Sequence, residues 1–151
     1  MILAIVILIT FLGMEAIAWS MHKYIMHGIG WRFHKDHHQK DNHASFFEKN
    51  DVFFILFSVL AMTAYITWSL TDIGFLLGIG IGISIYGAVY FFIHDLFIHQ
   101  RIKVLRNTKN KYLLALRRAH KIHHKYLEKE DGECFGLLLV PLRFHKNRLN
   151  S

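Results

Sequence analysis

The chain has 151 residues, 53% of them hydrophobic, with one cysteine and one proline, so a disulfide framework inside the chain is excluded. A net charge of +7 suits a nucleic-acid binder, but the basic residues sit in only two blocks, Lys23 to Lys49 and Arg101 to Arg148. No base-reading motif accompanies them, so nucleic acid is set aside as a partner.

The first apolar window opens at Ile2 and runs to Met21, interrupted only by Glu15, and predicts a membrane-spanning helix over roughly residues 2 to 26. No Lys or Arg precedes Lys23 and no small-residue cleavage site follows, so this span is expected to stay on the protein rather than leave as a signal peptide. An ionisable group inside a span is costly and usually functional. Glu15 lies seven residues before His22, nearly on the same helical face, and is expected to line the path to a site at the helix end or to bond a ring there; the plainer reading is a neutral core acid.

The polar stretch that follows, to about Asn50, carries His22 and His27, then His34, His37 and His38. Two uncharged windows come next, Val52 to Thr71 and Ile73 to Ile93, joined by a very short turn, which predicts an antiparallel helical hairpin over about 52 to 98. Gly74, Gly78 and Gly82 recur every four residues, a small-residue ridge for close helix packing, with a groove for a flat lipid as the sharper reading. The hairpin runs out into His94 and His99, and a basic C-terminal region holds His120, His123 and His124.

Neither the N-terminus nor the Thr71-Asp72 turn carries a Lys or Arg, so the positive-inside rule places both basic blocks, and every histidine segment, on the cytoplasmic side of the membrane. The expected architecture is all-α: an integral membrane protein of about three transmembrane helices plus cytoplasmic helices that carry the histidines, in one domain over 1–151.

Ten of the twelve histidines fall into a duplicated pattern, in which each half supplies a pair five residues apart and then a His-x-x-His-His cluster. Residues three and four apart share a helical face, so each cluster aims two or three imidazoles at one point. A five-residue pair is about 140° apart on an α-helix, so it needs either a distorted helix end or two different ions; the second is the expectation. Ten imidazoles exceed the ligand set of one ion and divide between two. His43 and His145 have no partner at ligand spacing and read as ordinary surface or core residues. Asp36 and Asp95 lie inside the clusters, where either could accept a bond from a ligand ring or simply be solvated. Imidazole suits iron, zinc and copper alike, so ligand type leaves the metal open, and zinc binds such sites more tightly than ferrous iron.

His22-Lys-Tyr-Ile-Met-His27, Phe33-His34-Lys-Asp-His37-His38, His94-Asp-Leu-Phe-Ile-His99 and Ala119-His120-Lys-Ile-His123-His124 resemble the four histidine boxes of the membrane fatty acid hydroxylase superfamily. The Gly28-Ile-Gly-Trp31 link and the Tyr90-Phe-Phe lead into the third box resemble its bacterial beta-carotene hydroxylase branch, while Asp131-Gly-Glu-Cys134-Phe135-Gly136 matches that branch's C-terminal run only in part. The resemblance covers nearly the whole chain. It implies two iron ions held by the ten histidines, with zinc able to replace them on purification, dioxygen as co-substrate and a ferredoxin-type electron donor. It also implies a carotenoid substrate drawn from the lipid phase, hydroxylated at carbon 3 of its beta-ionone rings, in a bacterial inner membrane. A related fatty acyl or sterol hydroxylase or desaturase is the nearest alternative. A membrane metal transporter is disfavoured because its spans should carry recurring polar residues. The run Lys111, Arg117, Arg118, Lys121 and Lys125 reads as contact with anionic lipid head groups or, less plainly, with an acidic electron carrier.

Overall fold

A computed structural model describes residues 1–39 and 46–145; His43 and the end of the basic tail at 146–151 lie outside the described residues. Among those residues the chain is entirely helical. Helix α1 (Ile2–Ser20) continues into a π-helical segment (Met21–Ile29) and α2 (Trp31–His38); α3 (Asp51–Thr71) and α4 (Gly74–Tyr90) form a hairpin, and α4 continues into a second π-helical segment (Phe91–Ile98). Helix α5 (Lys111–His123) and a 3-10 turn (Leu142–Phe144) complete the chain.

Three helical stretches, Ile2–Ile29, Asp51–Thr71 and Gly74–Ile98, are long and apolar enough to cross a membrane. Their outer faces expose large apolar side chains such as Leu8, Leu12, Ile55, Val59 and Ile66, the pattern of helices solvated by lipid tails. The α3–α4 turn closes in two residues because Asp72 takes the left-handed conformation (φ 55°) and donates its backbone N–H to Trp68 O.

Helix α4 is the centre of the bundle, with α1 and α3 each packed on it. The glycine ridge works in part as expected: a Cβ at Gly78 would lie 2.7 Å from the Val6 side chain and one at Gly82 2.6 Å from Thr10, so α1 rests directly on the α4 backbone there. Gly74 faces open space, whereas Gly80, off the ridge, makes room for the Tyr65 ring of α3. Gly82→Leu is expected to force α1 off α4 and lower stability by about 1–3 kcal/mol, read as earlier thermal unfolding in detergent, while Gly74→Leu leaves it unchanged.

Helix α5 lies against the histidine end of the bundle. Asn110 caps it by accepting the Leu113 N–H, and Ala115, Leu116 and Ala119 are buried. Of the basic run, Arg117 donates to Phe97 O and lies over the Phe97 ring, and Arg118 donates to Phe144 O, so both are structural. Lys111, Lys121 and Lys125 remain exposed.

Candidate metal centre

The ten box histidines converge at one end of the bundle. His22, His27, His34, His38 and His123 form one group, and His37, His94, His99 and His120 a second; within each, the candidate ligand atoms lie within 4.8 Å of one another. The His124 ring stands beside both groups, with centroids 4.4 Å from His38 of the first and 4.5 Å from His120, 4.7 Å from His37 and 4.8 Å from His99 of the second. The first half of the chain thus gives four rings to the first group and one to the second, and the second half three to the second and one to the first. In α2, His34 and His38 are one turn apart and go to the first group while His37, at i+3, crosses to the second. In α5, His120 goes to the second while His123 crosses to the first. The duplication read in the sequence becomes an exchange of imidazoles between the two groups.

The five-residue pairs do not divide between two ions, contrary to expectation. His22 and His27 both face the first group, and His94 and His99 both face the second. The reason is the winding at each span's end: i→i+5 hydrogen bonding, as in His99 N–H to His94 O at 2.9 Å, places residues five apart one above the other. Gly30 then turns the chain into α2; a Cβ there would lie 2.8 Å from Ile25 O.

Hydrogen bonding fixes the tautomer of the first group. The Nδ1–H of His22 donates to Phe135 O (3.0 Å), that of His27 to Lys129 O (3.0 Å), that of His38 to Tyr126 O (2.9 Å), that of His123 to Glu133 O (2.9 Å) and that of His34 to Asn50 Oδ1 (2.7 Å). Every acceptor is an oxygen without a proton in that direction, so each ring carries its proton on Nδ1 and turns an Nε2 lone pair inward. The inward atoms nevertheless approach closely: His34 Nε2 lies 3.1 Å from that of His22 and 3.2 Å from that of His38, and those of His27 and His123 are 3.3 Å apart. With no proton between them these are not hydrogen bonds. Nitrogens bound at about 2.0–2.1 Å to one ion lie roughly 2.9–3.4 Å apart at ligand angles between 90° and 109°, so the donor set fits a metal cation. In the second group, His99 and His120 bring their Nε2 atoms to 2.7 Å, and the His37 Nε2 is buried without a hydrogen-bond partner.

Burial, chiefly, pushes the His34 imidazole down to about 2, His123 to about 3 and His38 to about 4, and lowers His37 and His120 as well. Rings held neutral in this way present lone pairs to a metal across the physiological range.

The carboxylates singled out in the sequence take three different places. Asp95 Oδ2 lies 3.3 Å from His94 Nδ1 and its other oxygen 2.9 Å from Arg101 Nε, so it does back a ring. Asp36 accepts the Lys49 N–H at 2.7 Å and holds the turn that presents Glu48 and Asn50 to the histidines. Glu15 bonds no imidazole among the described residues. Its Oε1 accepts three successive backbone N–H groups, of Leu137, Leu138 and Leu139, and its Oε2 accepts the Tyr86 hydroxyl at 2.8 Å. It therefore anchors the C-terminal strap whose carbonyls at Lys129, Glu133 and Phe135 hold His27, His123 and His22. His145 packs on Tyr112, away from both groups.

Sequence reasoning missed Glu48, which accepts from His37 Nδ1 at 2.7 Å, and Asn50. It also missed Arg101, which joins Asp95, Asp51 and Glu48. Arg101 carried one signal: a guanidinium two residues beyond a histidine pair, at the end of an apolar span.

Comparison with known proteins agrees with this geometry. A profile of the fatty acid hydroxylase family matches residues 7–142. The chain is 39% identical to a beta-carotene hydroxylase of Pantoea ananas over 138 residues, which cover 91% of this chain and 77% of that one. It is 34% identical to the beta-carotene hydroxylase of a Paracoccus strain, covering 91% and 83%. A chloroplastic beta-carotene 3-hydroxylase of Arabidopsis thaliana is 35% identical over 85% of this chain and 42% of its own length. No solved structure matches significantly.

Proposed function

The chain belongs to the fatty acid hydroxylase family, and from that premise we propose that it is a carotenoid 3-hydroxylase that converts beta-carotene, through beta-cryptoxanthin, to zeaxanthin. The observation that carries this reading is the pair of imidazole groups, the first of which turns its lone pairs inward and opens through His22 onto a long apolar groove. Each group would hold one iron ion, with His124 beside both. The bound ions supply the activation of dioxygen, which with two electrons from a ferredoxin-type carrier and two protons yields one hydroxylated carbon and one water.

The groove binds and orients the hydrocarbon. It is a cavity of about 740 Å³ between α1 and α3, floored by α4 and lined by Met14, Ala18, Phe53, Phe57, Ile83 and Phe135 among others. Phe53 packs against the His34 ring, and Tyr65, at the far end, lies twelve residues further along α3, about 18 Å by helix rise. An elongated apolar molecule thus enters sideways from lipid, lies along α4 and presents one end to His22, while the aromatic walls exclude water. Ala61→Trp, which fills the middle of this groove, is expected to lower the rate at limiting substrate about tenfold or more while leaving bound metal unchanged; product formation and metal analysis on one preparation check both.

A second cavity, of about 260 Å³, reaches the other side of the centre between His37, His38, His99, His120 and His124, with Lys121 at its mouth. Exposed Lys111, Lys121 and Lys125 make that face suited to anionic head groups or an acidic electron carrier. Lys23 lies over the Trp19 and Tyr24 rings where α1 leaves the bilayer, an interfacial arrangement that supports a cytoplasmic location for the centre in a bacterial inner membrane. Since each ligand group draws on both halves, residues 1–151 act as one domain.

Expression in cells that accumulate beta-carotene tests the reading. Mono- and dihydroxylated carotenoids, absent with His123→Ala, support it. Unchanged beta-carotene beside folded, iron-loaded protein and a competent donor redirects it to another lipid, such as a fatty acyl chain.

A further inference from the structure

The two ligand groups match in donors and differ in what stands behind them. All five rings of the first group give their outer N–H to neutral oxygens: the carbonyls of Tyr126, Lys129, Glu133 and Phe135, and the Asn50 side chain. In the second group His37 gives its outer N–H to the Glu48 carboxylate at 2.7 Å, and His94 faces Asp95 at 3.3 Å. Those two carboxylates and Asp51 converge on the single guanidinium of Arg101, whose side chain is only 9% exposed, at 3.3, 2.9 and 2.7 Å. Among the described residues, carboxylates that accept from or face a box histidine ring stand only behind the second group, three of them sharing one arginine.

We propose, resting on the two-ion reading above, that the sites are inequivalent: the His37–His94–His99–His120 site is the tight, resident one, and the site built on His22 is the looser one facing the groove. A carboxylate accepting the outer N–H of an imidazole raises that ring's basicity and its hold on a cation, and loss of such a partner typically weakens metal binding by about 10–100-fold. Negative charge close to a dication adds attraction that neutral carbonyls do not provide. The first group brings together five rings and the second four, with His124 beside both, so ligand number does not favour the second site and charge does. Arg101 is a positioning residue here. It shares its fork among the carboxylates, holds Glu48 and Asp95 on their histidines and keeps three acids from repelling one another apart.

The test is a Co²⁺ titration of the chelator-stripped, full-length protein in detergent, followed by the d–d absorption of the bound ion. Two steps are expected, the first at least tenfold tighter than the second. Glu48→Gln keeps an oxygen for His37 and removes the charge; it is expected to weaken the first step 10–100-fold and leave the second in place. Asp95→Asn, an independent removal of charge, is expected to act on the same step. His22→Ala is expected to abolish the second step and keep the spectrum of the first. Two steps of equal affinity, a tight step lost in His22→Ala, or a first step untouched by both Glu48→Gln and Asp95→Asn overturns the inequivalence and leaves the two-ion reading standing. Failure of the wild-type protein to bind Co²⁺ overturns the two-ion reading itself.

Discussion

His34→Ala is expected to remove the metal of the first group, retain that of the second, and slow hydroxylation at least about 100-fold. His34 is 1% exposed and its Nε2 stands within 3.2 Å of two other ligand atoms, so its loss opens the middle of the donor set rather than its edge. The Asn50 side chain, which accepts the His34 N–H, is left buried without that donor, and alanine leaves a void where the ring was, so a stability loss of about 2–4 kcal/mol is expected as well. Metal content per chain and product rate on one preparation check the prediction. Loss of both ions, or of neither, contradicts the division into groups.

Glu15→Leu is expected to have the largest effect on folding of any single change within the spans. The carboxylate accepts four hydrogen bonds at 2.8–3.0 Å, and leucine strands three backbone N–H groups and the Tyr86 hydroxyl in an apolar surround. At about 1–3 kcal/mol for each unsatisfied buried group, even partial relaxation leaves a loss of roughly 3–6 kcal/mol, enough to release the strap. The strap carries the carbonyls that hold His22, His27 and His123, so metal of the first group is expected to be lost with it. Glu15→Gln retains an acceptor oxygen for the three N–H groups, and Tyr86 is able to accept from the new amide; it is expected to fold, with a loss of about 1 kcal/mol. Thermal unfolding in detergent beside metal analysis separates the pair. A stable, metal-replete Glu15→Leu protein would show that the strap holds without its anchor.

The spans and the ten histidines were legible because both signals are local: an uncharged window of helical length, and imidazoles repeated at set spacings beside it. The partition of the histidines was not. An α-helical wheel sends His22 and His27 to different sides, and the winding that brings them together depends on how the helix end packs under α2 and the strap. Glu15 announced itself as costly, but three of its four partners lie more than 120 residues away and are backbone N–H groups, which any sequence offers at nearly every position. The same holds for the carbonyls behind the first group. Glu48 and Asn50 lay in plain polar sequence, and only the fold shows that they face His37 and His34. Gly80, off the four-residue ridge, matters because Tyr65 happens to cross it.

Among the described residues, the carboxylate in the bundle's middle, Glu15, is occupied by the strap and by Tyr86, which does not favour a polar relay of the kind a metal transporter needs. Polar chemistry is gathered at one end, next to an apolar groove, which is the arrangement an oxidation of a lipid-dissolved hydrocarbon requires.

In the proposed reaction this histidine centre transfers an oxygen atom from dioxygen to a carotenoid ring. Its most direct test is to supply purified, iron-loaded protein with beta-carotene, a ferredoxin reducing system and ¹⁸O-labelled dioxygen, and to weigh the products. One labelled oxygen is expected in each new hydroxyl group, none from water, with the product rate at least about 100-fold lower in His34→Ala. Hydroxyl oxygen drawn from water, or labelled product formed at the wild-type rate in His34→Ala, would contradict this reading.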